Sequence, residues 1–596
     1  MNAIRTLVMA SMALAGAAVA QPASAPPLLA PGQGEAIAAE LSGRSTLATV
    51  RQLSNHHRMR GSAGFRAAAE SIAERLRGYG LEGVEIIALP ADGTIFYGTQ
   101  RSRPGWDARF AELWDGRERI ASWAEQPISL AQDSVSGRVE TELVDIGAGT
   151  SEGDYRGKDV RGKLVLTSSQ PEAVQALAIG RFGAVGIVSW AQNQRTAWWG
   201  EDESLVRWGH LGSFSEHPTF AFMVSPRQAR AWQERLARGD AVRLRAEVEA
   251  GQSPSAYLIP TALIPGRRRD QEIVYSCHLD HPNPGANDNA SGCAGLLEIA
   301  RGLSRLIREG RLPRPERTLR FIWPAEIEGT IALLNARPEF ARRTVATIHL
   351  DMIGGDTEIT KSILRVEGSP PSLPTAIPEV AFALARFVNA QSLAFAGTGT
   401  AELPLVEADG SRRALQAEIG GFSEGSDHQV WAEGSFRIPV IYIADWPDRY
   451  IHTQRDLPEN LDPTKLRRAI FIAGAAGYHL ANRPAFETVA PLAAPAARSG
   501  PVYRRIRRDG PMNGFGYSWL DDQLARSGRP RPSLLAREAP RDRPSFGYEA
   551  LNLVDGRRSV GEIRAILAAT VGEAPIEEVA EYLASLAQLR VLEPVR

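Results

Sequence analysis

The chain has little cysteine, no net charge to speak of, and no long apolar run beyond its first twenty residues. Only two cysteines occur in 596 residues, Cys277 and Cys293, so a disulfide scaffold is excluded. The pair sits only sixteen residues apart in sequence. Two buried thiols are the expected state, with a bridge as the alternative. Lys and Arg total 68 against 69 Asp and Glu, for a formal net charge of -1. No overall field favours nucleic acid or an anionic membrane. After the N-terminus no stretch reads as long and apolar enough to span a bilayer, which takes ~20 residues. Repeats at solenoid periods are also missing.

What is present is an ordinary globular composition, 43% hydrophobic and 23% charged. The length exceeds a single core, and roughly two to four domains are expected. Residues 1–20 read as an export signal. Arg5 is followed by an apolar run from Leu7 to Ala20, and Ala18-Val19-Ala20 offers small residues before Gln21. The expected location is periplasmic or secreted. A Pro/Ala-rich lead-in, Pro22 to Gly34, follows.

Periodicity divides the rest. A helix is predicted over Gly61 to Leu81, where Phe65, Ala68, Ala69, Ile72, Ala73 and Leu76 recur at helical spacing. Residues 36–130 are read as the first part of a main domain. A compact strand–helix–strand unit, Lys163 to Trp190, marks an inserted small α/β domain over 131–254. From 255 to 484, apolar β-type runs (Ile273–Ser276, Leu319–Trp323, Val345–Leu350, Val440–Ile443) alternate with helical patterns. That alternation predicts an α/β fold, a mostly parallel sheet flanked by helices. Residues 485–535 read as a linker. In it, Arg504, Arg505, Arg507 and Arg508 form a basic cluster, read as a solvated face or an interdomain contact. Residues 536–596 read as a small winged-helix-like domain. Its signs are a capping box at Ser559–Glu562, helices on either side of Pro575, and a strand or wing near Val591–Val595.

Sheets of this kind bind ligands beyond the carboxyl ends of their strands, and the unusual residues fall there. Cys277 to Gly292 reads C-H-L-D-H-P-N-P-G-A-N-D-N-A-S-G. His278 ends a strand and Asp288 precedes a helix, and an imidazole with a carboxylate suits a borderline metal such as zinc. Asp280 is spaced to orient the His278 ring. Glu326, after the strand ending at Trp323, suits a general base beside a metal. Asp351 closes the next strand, and His452 follows the strand ending at Ile443. Taken singly, each has a plain structural explanation. His428, in Ser426-Asp427-His428, is read as structural.

In order, H-x-D, G-A-N-D-N-A-S-G, A-E, D-M-I-G, S-D-H and Y-I-H-T resemble the zinc exopeptidase family of bacterial leucyl aminopeptidases. The plasma glutamate carboxypeptidase type and the glutaminyl cyclases belong to the same family. The resemblance runs from about residue 40 to 485 and takes in His57 to Phe65, similar to the family's opening helix. The insert resembles a protease-associated domain, and the C-terminal module a winged helix that some members append. The resemblance implies zinc held by His278 and Asp351, a second held by His452, Asp288 bridging them, Glu326 as general base and Asp280 orienting His278. The family has two adjacent glutamates, base then ligand. Here the second is Ile327, so one firm zinc and a weak or empty second position are expected, unless Glu328 bends inward. Peptides are the implied substrates, with an aminopeptidase as the first reading. A glutaminyl cyclase or carboxypeptidase, or a binding protein on a peptidase scaffold, is the alternative. Glu328, Asp356, Glu424 and Asp445 are candidates to hold a substrate's α-amine.

Overall fold

The computed structural model describes residues 25–192, 200–487, 489–490, 492–493, 498–514 and 516–595; the export-signal reading at 1–20 lies outside them. An eight-stranded mixed sheet forms the centre. Its middle is four parallel strands side by side: Arg317–Ile322, Arg268–Ser276, Thr344–Asp351 and Val440–Trp446. These are the four apolar runs of the sequence. Apart from the exposed start of Arg268–Ser276, most of their residues are buried, as a strand covered on both faces requires. Antiparallel strands Ser255–Ile264 and Glu82–Ala91 extend one side, and Ile363–Glu367 and Glu418–Ile419 the other.

Helices Gly43–Leu53, Gly292–Arg308 and Pro463–Asn482 pack on one another and share one core with the sheet. The predicted first helix is Ala63–Gly78, started by the Ser62 hydroxyl, which accepts the Phe65 N–H at 3.1 Å. Helix Pro378–Thr398 corrects one expectation, since its length and composition would allow it to cross a membrane. It packs instead against Pro463–Asn482, with Val380, Leu384 and Val388 buried, as a core helix does.

A seven-stranded sheet forms the inserted unit. It begins earlier than the predicted boundary at 131. Gly105–Asp115 and Glu118–Ser122 already pair into it, through the long strand Arg243–Ser253. The main domain's first part therefore ends near residue 104. Helix–strand alternation is visible in the sequence only in the parallel half of this sheet, after Gly137. The antiparallel half carries no such signal. Only Pro254 separates Arg243–Ser253 from Ser255–Ile264 in the central sheet. At this junction Gly61 has φ 70°, and a Cβ there would lie 2.5 Å from Gly105 Cα. No side chain fits that crossing.

The C-terminal module has its own core, and it too starts before the predicted boundary. Tyr503–Arg505 pairs with Leu592–Pro594, and Trp519, Leu520 and Leu524 are buried with Val579, Leu583 and Leu586. Much of the stretch read as linker is thus folded. The Ser559–Glu562 capping box is present. Arg505 of the basic cluster makes an interdomain contact. It is buried, pairs with buried Glu433, and donates to Ser435 Oγ at 2.8 Å. Glu549 accepts from the Ser372 amide and hydroxyl at 2.6 and 2.7 Å, and the Tyr548 hydroxyl donates to the Gln429 carbonyl.

Removing one partner of a buried ion pair strands the other charge, at a cost of about 3–5 kcal/mol. Glu433→Ala is therefore expected to loosen the C-terminal module, giving a lower unfolding midpoint and faster proteolytic cleavage between 484 and 502. A wild-type midpoint and cleavage rate would show that the pair does not hold the module in place.

Candidate metal centre and active site

The four parallel strands deliver their carboxyl ends to one place. In spatial order those ends are followed by Glu326, His278, Asp351 and His452. Strands alone cannot fix the loop between His278 and Asp288, and its sequence explains how it is held. Arg58, from the His57–Phe65 segment, is fully buried and donates to the carbonyls of Leu279 (2.9 Å), Gly285 (2.8 Å) and Leu53 (2.6 Å). The asparagines around Asp288 tie it to the Asp351 strand. Asn289 Nδ2 donates to the Leu350 carbonyl at 2.9 Å. Its Oδ1 accepts the Met352 N–H at 3.1 Å, and Asn287 Oδ1 accepts the Gly354 N–H at 3.0 Å. Asp456 accepts the amides of Asn287 and Asp288 at 2.7 and 3.0 Å. In G-A-N-D-N-A-S-G, then, only the aspartate is left to face outward into the site.

The acceptors converge. His278 Nδ1–H donates to the Asp280 carbonyl at 3.1 Å, which turns the Nε2 lone pair toward Asp351 Oδ1 (3.2 Å), Asp288 Oδ1 (3.3 Å) and Glu326 Oε1 (3.9 Å). The other Asp288 oxygen, Oδ2, faces His452 Nε2 at 3.1 Å and His281 Nε2 at 3.2 Å. Two sets result, His278–Glu326–Asp351 and His281–Asp288–His452. Within each, the potential ligand atoms lie within 4.8 Å of one another. Imidazole nitrogens and carboxylate oxygens at such spacing need a proton or a metal cation between them, and this donor set suits zinc. Burial alone would raise the Asp288 carboxyl. The imidazoles of His281, His278 and His452 outweigh it and hold the carboxyl well below the usual range. Glu326 moves the other way. Burial lifts it well above the ordinary glutamate range, with Asp351 and Asp288 adding to the effect and His278 opposing it.

The backbone is strained around the site. Ile327, Met352 and His452 all have φ 58°, a region that bulky residues seldom enter and that clusters at functional sites. Asp427 of S-D-H accepts the Ile327 amide at 2.8 Å and so holds the turn after Glu326.

Asp280 acts somewhat differently from its expected role. Its carbonyl takes the His278 proton, its carboxylate lies 3.6 Å from that ring, and Oδ1 accepts the Glu326 amide at 2.6 Å. It thus positions both residues. His428 is structural, as expected. Its Nε2 donates to the Ser423 carbonyl, its ring stacks on Tyr442 at 3.8 Å, and burial holds it down at about 4.

Glu328 does not bend inward. It is fully buried, with Arg103 donating at 2.8 and 3.0 Å and the Tyr257 hydroxyl at 3.0 Å. The other α-amine candidates are also engaged: Asp356 caps a short helix, Glu424 accepts the Ser545 amide, and Asp445 pairs with Lys465. The expectation of two free thiols is corrected. Cys277 and Cys293 are disulfide-bonded, because the strand end and the first turn of the next helix bring their Cα atoms to 5.3 Å. Sequence reading missed His281, although the second histidine of H-L-D-H was in plain view. It also missed the insert's part in the site: the Trp208 amide donates to the His452 carbonyl at 2.7 Å, and the Trp208 indole meets the His452 ring edge-on.

Residues 261–476 match peptidase family M28. Over 107 residues the chain is 37% identical to the mouse aminopeptidase NAALADL1, a match covering 17% of this chain. The chain spans only about 14% of the length of that relative. Among solved structures, the zinc aminopeptidase BSAP from Bacillus subtilis aligns with a TM-score of 0.52 at 18% identity, over 74% of this chain and 96% of that one. A peptidase M28 precursor from Shewanella amazonensis gives 0.52 at 17%, over 77% and 98%. At these identities the structural likeness is one of fold.

Two outcomes follow from the geometry. Denatured, unreduced protein should show no free thiol; finding two would overturn the pairing. Glu328→Ala should unfold at a lower temperature, because it strands the Arg103 charge at a cost of about 3–5 kcal/mol, while metal content stays unchanged. Metal loss at unaltered stability would make Glu328 a ligand after all.

Proposed function

We propose that this chain, whose residues 261–476 match peptidase family M28, is an exported zinc-dependent aminopeptidase acting on short peptides. The observation that carries this reading is the placement of Glu326. Its amide is held by Asp280 and its carboxylate lies against the His278–Asp351 set, 3.9 Å from His278 Nε2. Burial raises its proton affinity, as a general base working near neutral pH requires. Zinc held by His278, Asp288 and Asp351 would polarise the scissile carbonyl and the attacking water. Glu326 takes one proton from that water as its oxygen bonds to the carbonyl carbon. It then gives the proton to the nitrogen as the C–N bond breaks, so the amine leaves neutral.

The amino-terminal reading is supported by the relatives: the mouse protein and the Bacillus subtilis structure are both named as aminopeptidases. The insert supports short substrates, since Arg207 and Trp208 line the chain against Thr453 and His452 and wall one side of the site. Export is supported by the signal-like first twenty residues and by the Cys277–Cys293 bridge, which suits an oxidising compartment. A binding protein on the same scaffold would have no need for a base held in this way.

Chelation is expected to abolish hydrolysis of amino-acid anilides, and zinc to restore it. N-blocked peptides should be poor substrates. Glu326→Gln should keep its metal and lose activity on the order of 10²-fold or more. Normal turnover by that variant, or by metal-free protein, would overturn the mechanism; preference for blocked peptides would overturn the aminopeptidase reading.

A further inference from the structure

We infer that His281 is a metal ligand, completing with Asp288 and His452 a second position from which the expected carboxylate at 327 is missing. The inference rests on the metallopeptidase reading of the same site. Ile327 is buried in the hydrophobic core and offers no donor atom, and Glu328 is committed to Arg103 and Tyr257. His281 approaches from the opposite loop.

Three observations make it a ligand rather than a packed core histidine. First, its tautomer is set. The Pro282 carbonyl lies 2.7 Å from Nδ1 and can only accept, so in the neutral ring Nδ1 carries the proton and Nε2 a lone pair. Second, that Nε2 is buried without a hydrogen-bond partner. It faces Asp288 Oδ2, another acceptor, at 3.2 Å, and the same oxygen meets His452 Nε2 at 3.1 Å. Two imidazoles converge on one carboxylate oxygen, and with the His281 proton held on Nδ1 a metal cation at the meeting point gives its Nε2 a partner. Third, the ring is held before any ion arrives. The amides and carbonyls of His281 and Arg58 bond reciprocally at 3.0 and 3.1 Å. Gly285 (φ 53°) lets its loop close over the ring, where a Cβ would fall 2.4 Å from Nδ1. The His281 and His452 rings lie nearly parallel, with centroids 5.8 Å apart.

A neutral imidazole in place of a carboxylate changes what the position prefers. It has two nitrogens and one shared oxygen, and one formal negative charge fewer than the two-glutamate pattern would give. Such a site favours zinc, cobalt or nickel over manganese and magnesium, which prefer oxygen ligands.

The test is metal binding by the full-length protein, stripped of metal and titrated with Zn²⁺, Co²⁺ and Mn²⁺. Two Zn²⁺ per chain are expected, with Mn²⁺ a poor competitor at one of the two. His281→Ala should retain one ion and lose affinity for the other by about 100-fold or more, at or beyond the upper end of what losing an outer-shell partner costs. A folded His281→Ala that still binds two ions with unchanged affinity would overturn the inference. In case that variant does not fold, the wild type serves directly. Histidine-labelled protein should show three imidazole Nε2 resonances shifted by Zn²⁺, and two would overturn the inference. A single ion in an active wild type would defeat the second position alone; no metal in an active wild type would defeat the metallopeptidase reading with it.

Discussion

Everything in the site turns on one buried carboxylate that three imidazoles face at once. Asp288 shows Oδ1 to His278 and Oδ2 to His281 and His452. A fold accepts such a cluster only if its surroundings cannot relax away from it. That explains the density of fixed bonds around it: Arg58 on the carbonyls of the loop, the flanking asparagines on the next strand, Asp456 on the amides. The parallel strands supply direction, and these side chains supply the last ångström.

The constraint reaches outward. Asp280 ties the His278 ring to the Glu326 amide, so the two side chains move as one. Asp427 fixes the turn beyond Glu326. Arg60 and Arg103 pair with Asp133 of the insert and with Glu328 of the central domain. The raised proton affinity of Glu326 needs this rigidity, since a small retreat toward water would return it to an ordinary glutamate.

Much of the arrangement could be read in the sequence, for a physical reason. Strands buried on both faces are written as unbroken apolar runs, and chemistry at their ends appears as isolated polar residues after each run. That made His278, Glu326, Asp351 and His452 visible, with Asp288 following from its asparagines. What escaped depends on pairing across space. Glu328 seemed free until Arg103, from a distant segment, was placed beside it. His281 looked like a loop residue because its worth lies in where Nε2 points. The antiparallel strands Gly105–Ser122 gave no signal because their partner, Arg243–Ser253, lies more than a hundred residues away. The C-terminal module's early strand was hidden likewise, since Tyr503–Arg505 pairs with residues near the chain's end.

The contact between Trp208 and His452 bears on how such a protein can change over generations. An appended domain that only restricts entry can be exchanged, lengthened or deleted, and the enzyme beneath keeps working. This insert lends backbone to the loop that carries His452, through Trp208 and through Val206, which exchanges bonds with Gln454. It is therefore part of the framework that holds this loop. Drift in the insert must be matched by drift in the 450s, and a chimaera joined at 104 and 255 would inherit the loop geometry of neither parent.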